Sequence, residues 1–172
     1  MSYFLTVMFD DRKSGGPATL KEAGQIFIPV SRCPAICLRI KDLAQDLFEA
    51  ARAAMHFSHS PYSHFPVGAA IRADDGRIYS GCNIENVAFP DGWCAETTAI
   101  SHMVMAGAKE IVEVAVIAEK LALCPPCGGC RQKLSEFAGP QTRIWLCDAS
   151  GPQKALTLAE LLPATFAPEA FD

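Results

Sequence analysis

No run of apolar residues in this chain approaches the length of about 20 that a membrane-spanning helix requires. Residues 1–9 are mostly apolar, but they lack a basic leader and are followed by Asp10 and Asp11, a poor match to a secretory or transit signal. A basic excess is also missing, since 15 Lys and Arg face 19 Asp and Glu and the net charge is −4. We therefore expect a cytoplasmic protein with neither a membrane nor a nucleic acid as partner.

The charge is distributed unevenly along the 172 residues. Residues 1–41 hold six Lys and Arg against three Asp and Glu, whereas residues 42–172 hold nine against sixteen. The first part is irregular, with breaks such as Ser14-Gly15-Gly16-Pro17, and the pattern becomes regular after Lys41. We therefore divide the chain into an N-terminal extension, residues 1–41, and one globular domain, residues 42–172. The acidic domain favours a small neutral or cationic substrate.

Helical and strand patterns alternate from residue 42 onward. Apolar residues at helical spacing after Asp42, a candidate N-cap with Gln45 three residues later, predict the first helix. The remaining patterns predict helices over residues 94–106, 131–138 and 158–162 and strands over residues 66–73, 77–83, 112–118 and 143–147. A sheet with interleaved helices is an α/β fold.

Two short segments hold residues that suit a catalytic metal: Cys94-Ala95-Glu96 and Pro126-Cys127-Gly128-Gly129-Cys130. Each is predicted at the beginning of a helix, where free N–H groups and the positive end of the helix dipole favour thiolate over thiol. Three thiolates, from Cys94, Cys127 and Cys130, leave one tetrahedral position of Zn²⁺ open for water. Glu96, two residues beyond a ligand, is then placed to act as the general base.

Simpler interpretations of these segments exist. An isolated C-x-x-C is more often a structural zinc site or a coincidence than a catalytic centre. Cys124 repeats the three-residue spacing, so Cys94, Cys124, Cys127 and Cys130 together are a conceivable structural site. Against that site, Pro125-Pro126 stiffens the link and holds Cys124 in the loop before the helix. The order of C-x-E and then P-C-x-x-C about thirty residues later instead matches the zinc deaminases.

The sequence resembles cytidine deaminase of the short, three-cysteine, homotetrameric type from about residue 42 to residue 166. The motifs that carry the resemblance are Pro61-Tyr62-Ser63-His64-Phe65, Val67-Gly68-Ala69-Ala70, Gly81-Cys82-Asn83-Ile84-Glu85-Asn86, Cys94-Ala95-Glu96, Pro126-Cys127-Gly128-Gly129-Cys130-Arg131-Gln132 and Leu161-Leu162-Pro163. The resemblance implies a three-layer α/β/α fold with a central mixed sheet of about five strands. It also implies one zinc ion per chain and a homotetramer whose sites are shared between chains.

A reaction follows from the same resemblance. In the family, water replaces the 4-amino group of the cytosine base, so that cytidine and deoxycytidine become uridine and deoxyuridine in pyrimidine salvage. Glu96 matches the residue that takes the proton from water, gives it to N3 of the base and later protonates the leaving amine.

The resemblance further implies which residues hold the nucleoside. Asn83 and Glu85 match residues that bind the ribose hydroxyls, and Phe65 matches one that packs on the base. Ala95 is carried over as a further substrate-binding residue. Phe166 matches an aromatic residue that, in the tetrameric relatives, reaches into a neighbouring chain's site.

Three features depart from the family. Thr97 stands where the three-cysteine enzymes usually have an Arg that offsets the thiolate charge, so Arg131 and the helix N-termini are expected to supply the compensation. Phe89 stands where Tyr is common, and it lacks the hydroxyl. Residues 1–41 have no counterpart in the family.

Two other functions remain as alternatives. A deaminase of another aminopyrimidine nucleoside, such as the blasticidin type, shares the metal motif. A structural-zinc interaction module would need Cys124 as its fourth ligand and would leave Glu96 without a role. Deaminases that act on nucleic acids or nucleotides usually have His at the position of Cys94, which disfavours them here.

Overall fold

The computed structural model describes residues 34–166, with side chains from residue 44 onward, so most of the N-terminal extension lies outside the described residues. The elements follow in the order α1 (Pro34–Met55), β1 (Val67–Ala73), β2 (Ile78–Cys82), α2 (Ala95–Met105), β3 (Ile111–Ala118), α3 (Gly128–Ser135), β4 (Ala138–Asp148), β5 (Gly151–Thr157) and α4 (Leu158–Leu161). A short 3₁₀ turn, Phe89–Asp91, lies between β2 and α2. None of the helices in this part of the chain is both long and apolar enough to cross a membrane.

The strands of the described residues form one mixed sheet in the order β2-β1-β3-β4-β5. β1 pairs antiparallel with both β2 and β3, β3 pairs parallel with β4, and β4 pairs antiparallel with β5. The parallel pair requires a crossover connection, which α3 provides. The central strand β3 is buried at every position except Val112, as expected for a β-branched run that is covered on both faces.

Helices cover both faces of this sheet. On one face α1 contributes Leu47, Phe48 and Ala51 to an apolar cluster with β1, β3 and β4. On the other face a larger cluster joins α2, α3 and α4 to the alternate residues of the same strands, since successive strand residues point to opposite faces. The predicted α/β/α layering and the mixed sheet of five strands are confirmed.

The first helix begins earlier than the sequence pattern predicts. α1 is already helical at Pro34, so Asp42 lies inside the helix and not at its N-cap. The capping interpretation is wrong because Gln45, the residue expected to reach back, instead donates to Glu49 Oε1 at 2.8 Å, one turn further on. The predicted buried face is correct, since Leu47 and Ala51 are fully buried. The division of the chain at residue 42 stays a prediction.

The segment after Cys127 also differs from the prediction. α3 spans Gly128–Ser135, with Cys127 as its N-cap, and not the predicted residues 131–138. The helix begins earlier because the burial of Cys130 and Leu134 outweighs the low helix propensity of glycine. Ala138 instead pairs with Ile111 at the start of β4. β5 was not predicted because it is an edge strand with three consecutive exposed residues and no apolar alternation.

Candidate metal centre and substrate pocket

The N-terminus of α2 is held close to β2 by a glycine. A Cβ atom added at Gly81 would lie 2.5 Å from the Ala99 nitrogen and 2.6 Å from the Ala95 oxygen, so only glycine permits this approach. Thr98 reinforces the contact, because its hydroxyl donates to the Cys82 carbonyl at 3.0 Å. The strand therefore fixes the position of the helix that begins at Ala95.

A pair of backbone hydrogen bonds connects the end of β2 to the residue before α2. Ile84 N–H donates to the Trp93 carbonyl at 2.8 Å, and Trp93 N–H donates to the Ile84 carbonyl at 2.7 Å. His59 accepts from Glu85 N–H at 2.7 Å on the other side. These bonds place Cys94 beside the segment that holds Asn83 and Glu85, which are the predicted sugar-binding residues.

Three cysteine sulfurs meet between α2 and α3. Cys94 is the N-cap of α2, Cys127 is the N-cap of α3, and Cys130 lies in the first turn of α3. Their sulfur atoms lie within 4.8 Å of one another, and those of Cys94 and Cys127 are 3.8 Å apart. Tetrahedral zinc with Zn–S bonds of about 2.3 Å requires sulfur separations of about 3.8 Å. The donor set therefore fits a zinc ion.

The surroundings favour the thiolate form of Cys94 in this group. A hydrogen bond from Cys130 is the main cause that lowers the pKa of Cys94 to about 6, and the same contact raises the pKa of Cys130. Lys133 also lowers the pKa of Cys94 through its positive charge. At neutral pH the site thus already contains one thiolate to receive a cation.

Cys124 does not belong to this group. Among the described side chains, the one cluster of at least three potential metal ligands consists of Cys94, Cys127 and Cys130. The Cys124 sulfur instead lies 3.9 Å from the Pro125 carbonyl. Burial raises the pKa of its thiol. The geometry supplies three sulfur donors, the number that leaves a tetrahedral ion one open position.

Glu96 lies in the first turn of α2, two residues beyond Cys94, and its side chain is only 4% exposed. Burial raises the pKa of this carboxyl group, while Cys130 and Lys133 oppose the shift. Of the described residues, Glu96 and Glu113 are the buried carboxylates. Glu113 forms ion pairs with Arg72 and Arg143, whereas no ion pair of Glu96 is present among the described residues. A buried carboxyl without a cationic partner beside a metal site suits proton transfer.

Glu85 and Asn83 organise the loop that precedes β1. The Glu85 carboxylate accepts from Tyr62 N–H at 2.8 Å, from Ser63 N–H at 3.2 Å and from the Ser63 hydroxyl. Ser63 is the main cause that lowers the pKa of Glu85, so the group is ionised at neutral pH. About four acceptor positions exist on a carboxylate, and the loop occupies three of them.

Asn83 connects the same loop to the strand. Its Oδ1 accepts from the Ser58 hydroxyl at 2.6 Å and from Val67 N–H at 2.8 Å. Its Nδ2 donates to the Phe65 carbonyl at 3.0 Å. One N–H of the amide remains for another acceptor. The predicted residues Phe65, Asn83 and Glu85 are therefore assembled in one place.

A cavity of about 400 Å³ opens beside this loop. Its lining consists of Tyr62, Ser63, Glu85, Asn86, Phe89 and Gly92. The rings of Tyr62 and Phe89 meet edge to face with their centroids 5.7 Å apart. Glu85 is the one predicted substrate residue in the lining, and the aromatic rings offer apolar surface of the kind that nucleoside sites use.

Hydrogen bonds with residues of α3 and α4 and of the loop before α3 fix the positions of Arg131 and Phe166. Arg131 donates to the Pro126 carbonyl at 2.8 Å and to the Leu161 carbonyl at 2.9 Å, which connects the N-terminus of α3 to α4. The Phe166 carbonyl accepts from Gln132 Nε2 at 2.8 Å, and the Phe166 side chain is 65% exposed. The charge-compensating role of Arg131 stays a prediction.

The sequence analysis missed Lys133, Ser58 and Ser63. Lys133 has its Nζ 5.5 Å from the centre of the Trp93 ring, and its charge acts on both Cys94 and Glu96. It lies three residues after Cys130, on the same helix face, but the predicted start of α3 at residue 131 hid that relation. Ser58 gave no sequence signal, and Ser63 entered only as a member of the motif that spans residues 61–65, because the hydrogen-bond partners of both are distant in the chain.

A three-layer α/β/α fold that places three cysteine sulfurs beside a buried glutamate at two helix N-termini defines a class of protein, the zinc-dependent hydrolytic deaminases. The family described as "Cytidine and deoxycytidylate deaminase zinc-binding region" matches residues 41–146, more than half of the chain. The chain therefore belongs to this family.

Individual relatives agree with the family match. The chain is 40% identical over 125 residues to cytidine deaminase of Sporosarcina psychrophila, an alignment that covers 73% of this chain and 92% of that protein. It is 38% identical over 125 residues to cytidine deaminase of Halalkalibacterium halodurans, with coverage of 73% and 95%. The crystal structure of cytidine deaminase from Burkholderia pseudomallei aligns with a TM-score of 0.67 at 36% identity, covering 70% of this chain and 97% of that one.

Proposed function

We propose that this chain catalyses the zinc-dependent hydrolytic deamination of cytidine and deoxycytidine, releasing ammonia and forming uridine and deoxyuridine. The observation that carries the proposal is the buried Glu96 in the first turn of the helix that Cys94 caps. A structural zinc site has no use for a buried acid without a cationic partner, whereas a hydrolytic deaminase requires one.

Cys94, Cys127 and Cys130 hold the metal in this proposal. Zinc, when bound by three thiolates, supplies a Lewis acid with one open position, at which water becomes a nucleophile near neutral pH. The two helix N-termini present their free N–H groups and positive dipole ends to the thiolates. Arg131 adds positive charge at the beginning of α3.

Glu96 moves the protons. Its carboxylate takes a proton from the attacking water and passes it to N3 of the cytosine ring. Glu96 then takes the second proton, from the hydroxyl group now on C4, and gives it to the 4-amino group. The C–N bond breaks as ammonia leaves, and the oxygen remains on C4 as the carbonyl of uridine. Burial of Glu96 excludes competing water from this transfer.

The loop around residues 58–65 and the end of β2 bind the nucleoside. Glu85 accepts a hydrogen bond from a ribose hydroxyl at its remaining acceptor position, and Asn83 donates its remaining N–H. Phe65 packs on the base, and Ala95 adds backbone contact at the start of α2. The negative charge of Glu85 disfavours nucleotides, because their phosphate would be repelled.

The direct test follows the ultraviolet absorbance of cytidine incubated with the purified protein. Glu96→Gln keeps the size of the side chain and removes its acid–base function, so we expect the rate to fall by about 10²–10⁴ while zinc stays bound. Glu136→Gln, a variant of an exposed glutamate at the end of α3, is the matched control. Retention of most activity by Glu96→Gln would contradict the assigned role.

Blasticidin-type activity is the second candidate, and it differs in substrate rather than in chemistry. Parallel assays with cytidine, deoxycytidine and a larger aminopyrimidine nucleoside decide between the two. We expect cytidine and deoxycytidine to be converted and the larger nucleoside to be left unchanged. Preferential conversion of the larger nucleoside would replace the proposal for cytidine.

Exposed apolar side chains support a homotetramer with shared sites. Phe166, Phe89 and Val87 are 65%, 74% and 78% exposed in the single chain. We infer that neighbouring chains cover these side chains and that Phe166 completes a neighbour's site. Phe166→Ala should then weaken nucleoside binding by about 1–3 kcal/mol, the value of burying one aromatic ring.

Subunit mixing tests the shared site. Phe166→Ala chains are mixed with Glu96→Gln chains, each of which is impaired alone. Mixed tetramers then contain sites with Glu96 from one chain and Phe166 from its neighbour, and these should turn cytidine over at low concentration. A fully active monomer in sedimentation, or no recovery after verified mixing, would contradict the shared site.

The cellular setting completes the proposal. We infer that the protein is a cytoplasmic enzyme of pyrimidine salvage. We further infer that residues 1–41 are dispensable for catalysis, because all proposed metal ligands and substrate-binding residues follow them. A chain that starts near Ile40 should fold and deaminate cytidine. Insolubility of that shortened protein would assign the N-terminal segment a structural role.

A further inference from the structure

Thr97 directs its hydroxyl at one of the proposed metal ligands. Thr97 lies in the first turn of α2, next to Glu96, and is 6% exposed. Its Oγ1 is 3.9 Å from the sulfur of Cys130, which is fully buried. In the described part of the chain this sulfur is the hydrogen-bond partner of the Thr97 side chain.

The next residue shows that this arrangement is not simply a property of threonine in a helix. The Thr98 hydroxyl donates to two backbone carbonyls, those of Cys82 at 3.0 Å and Cys94 at 3.4 Å. Threonine in a helix commonly bonds to a carbonyl in the preceding turn in this way. Thr97 instead contacts the side chain of another helix, 33 residues away in sequence.

Metal binding fixes the direction of the Thr97–Cys130 hydrogen bond. A cysteine that binds zinc is a thiolate, which can accept a hydrogen bond but cannot donate one, so the Thr97 O–H must be the donor. A bond to an ionised acceptor is stronger than one to a neutral acceptor. The contact therefore strengthens when the metal is bound and stabilises the bound state.

The negative charge of the metal site is stabilised by a hydrogen-bond donor of this kind. Three thiolates on Zn²⁺ leave a net charge of −1, and the sulfur of Cys130 has no access to water. Lys133, whose charge also acts on the site, is exposed, so solvent weakens its contribution. A hydrogen bond between two buried groups is not screened in this way.

We infer that Thr97 is a positioning residue of the metal centre, whose hydroxyl donates to the Cys130 thiolate and so stabilises bound zinc. The inference rests on the proposed function, because it requires zinc at the three sulfurs. Thr97 is itself neither a proposed metal ligand nor a proposed substrate-binding residue. It acts through Cys130, by orienting the sulfur and dispersing its charge.

The test compares three variants of the full-length, zinc-loaded protein. Thr97→Val keeps the shape of the side chain and removes the hydroxyl, and Thr97→Ser keeps the hydroxyl. Ser101→Ala is the matched control, because it removes a hydroxyl that donates only to a backbone carbonyl of the same helix, that of Thr97 at 2.9 Å. The measurements are the zinc dissociation constant, by competition with a chelator, and the sulfur-to-metal charge-transfer band of the Co²⁺-substituted protein.

Thr97→Val is expected to weaken zinc binding by about 10-fold, in the range found for outer-shell partners of metal ligands. Its charge-transfer band should move to longer wavelength, because a thiolate without a donor gives up electron density more easily. Thr97→Ser and Ser101→Ala should match the unmodified protein in both measurements.

Two results would overturn the inference: unchanged affinity and an unmoved band in Thr97→Val, or an equal shift of the band in Ser101→Ala. If Thr97→Val does not fold, Thr97→Ala carries the same comparison against Thr97→Ser. Failure of the unmodified protein to bind zinc through three sulfurs overturns the proposed function, and this inference with it. Zinc binding that is equally tight in all variants overturns the inference alone.

Discussion

The two helices that carry the cysteines begin in different surroundings. The first turn of α2 is buried, with Ala95 and Glu96 almost inaccessible to solvent. The start of α3 is open except at the buried Cys130, since Cys127 is exposed and a Cβ added at Gly128 or Gly129 would meet nothing within 4 Å. The metal centre thus lies between two different surfaces. We call the buried start of α2, residues 95–97, its closed wall, and the start of α3, residues 127–129, its open wall.

This difference separates two tasks. The closed wall holds two buried polar groups for which we propose roles that need a fixed, dry position, the carboxyl group of Glu96 and the hydroxyl of Thr97. The open wall completes the sulfur set from a short glycine-rich turn that leaves room beside the metal. Chemistry that needs both a preorganised acid and an entry path benefits from such a division.

Replacement of a cysteine ligand on either helix should abolish zinc binding. Cys94→Ala and Cys127→Ala each leave two thiolates, so we expect the zinc content to fall from about one ion per chain to near zero. Metal analysis of the purified proteins gives the content, and X-ray absorption counts the sulfur ligands. Cys124→Ala is the matched control and should keep its zinc. Four sulfur ligands in the unmodified protein would contradict the catalytic site.

A methyl group added at Gly81 should lower the free energy of unfolding, whereas one added at Gly128 should raise it. Gly81→Ala places a Cβ 2.5 Å from the backbone of α2, and such overpacking costs about 1–3 kcal/mol in the free energy of unfolding. Gly128→Ala meets no atom within 4 Å and should stabilise the protein by about 0.4–1 kcal/mol. Denaturant unfolding measures both changes. A stable Gly81→Ala variant with unaltered activity would show that α2 can shift without harm to the site.

The smallest effect is expected at Lys133, which lies on α3 beyond the open wall. Loss of its positive charge in Lys133→Met destabilises the Cys94 thiolate, so the pKa of Cys94 in the metal-free protein should rise above its value of about 6. The pH dependence of alkylation at Cys94 measures this pKa. Lys154→Met, on the exposed part of β5, is the control. An unchanged pKa in Lys133→Met would show that solvent screens the charge completely.

The sequence predicted the closed wall better than the open one. The helix at residues 94–106, the strands on either side of it and the sulfur set all depend on local pattern, and the structure places Cys94 at the predicted helix start. α3 was misplaced because Gly128 and Gly129 disfavour helix locally, and only tertiary burial of Cys130 and Leu134 overrides them.

Distant partners limited the prediction of the site in the same way. The resemblance indicated Asn83 and Glu85 as substrate residues, but their hydrogen bonds to Ser58, Ser63 and Tyr62 cross 22 to 25 residues. No local pattern encodes such a contact. The contact of Thr97 with Cys130 crosses 33 residues and was likewise invisible before the fold was known.

The edge strand β5 has a consequence for how copies of the chain can associate. It forms one side of the sheet, and it carries Pro152, which has no N–H, and the exposed Lys154. Both residues are devices that natural proteins use to prevent an edge from recruiting a strand of another molecule. Sheet extension from one copy into the next, the route to amyloid-like aggregates, is therefore blocked at this side. Copies of the chain must therefore associate through surfaces other than this edge.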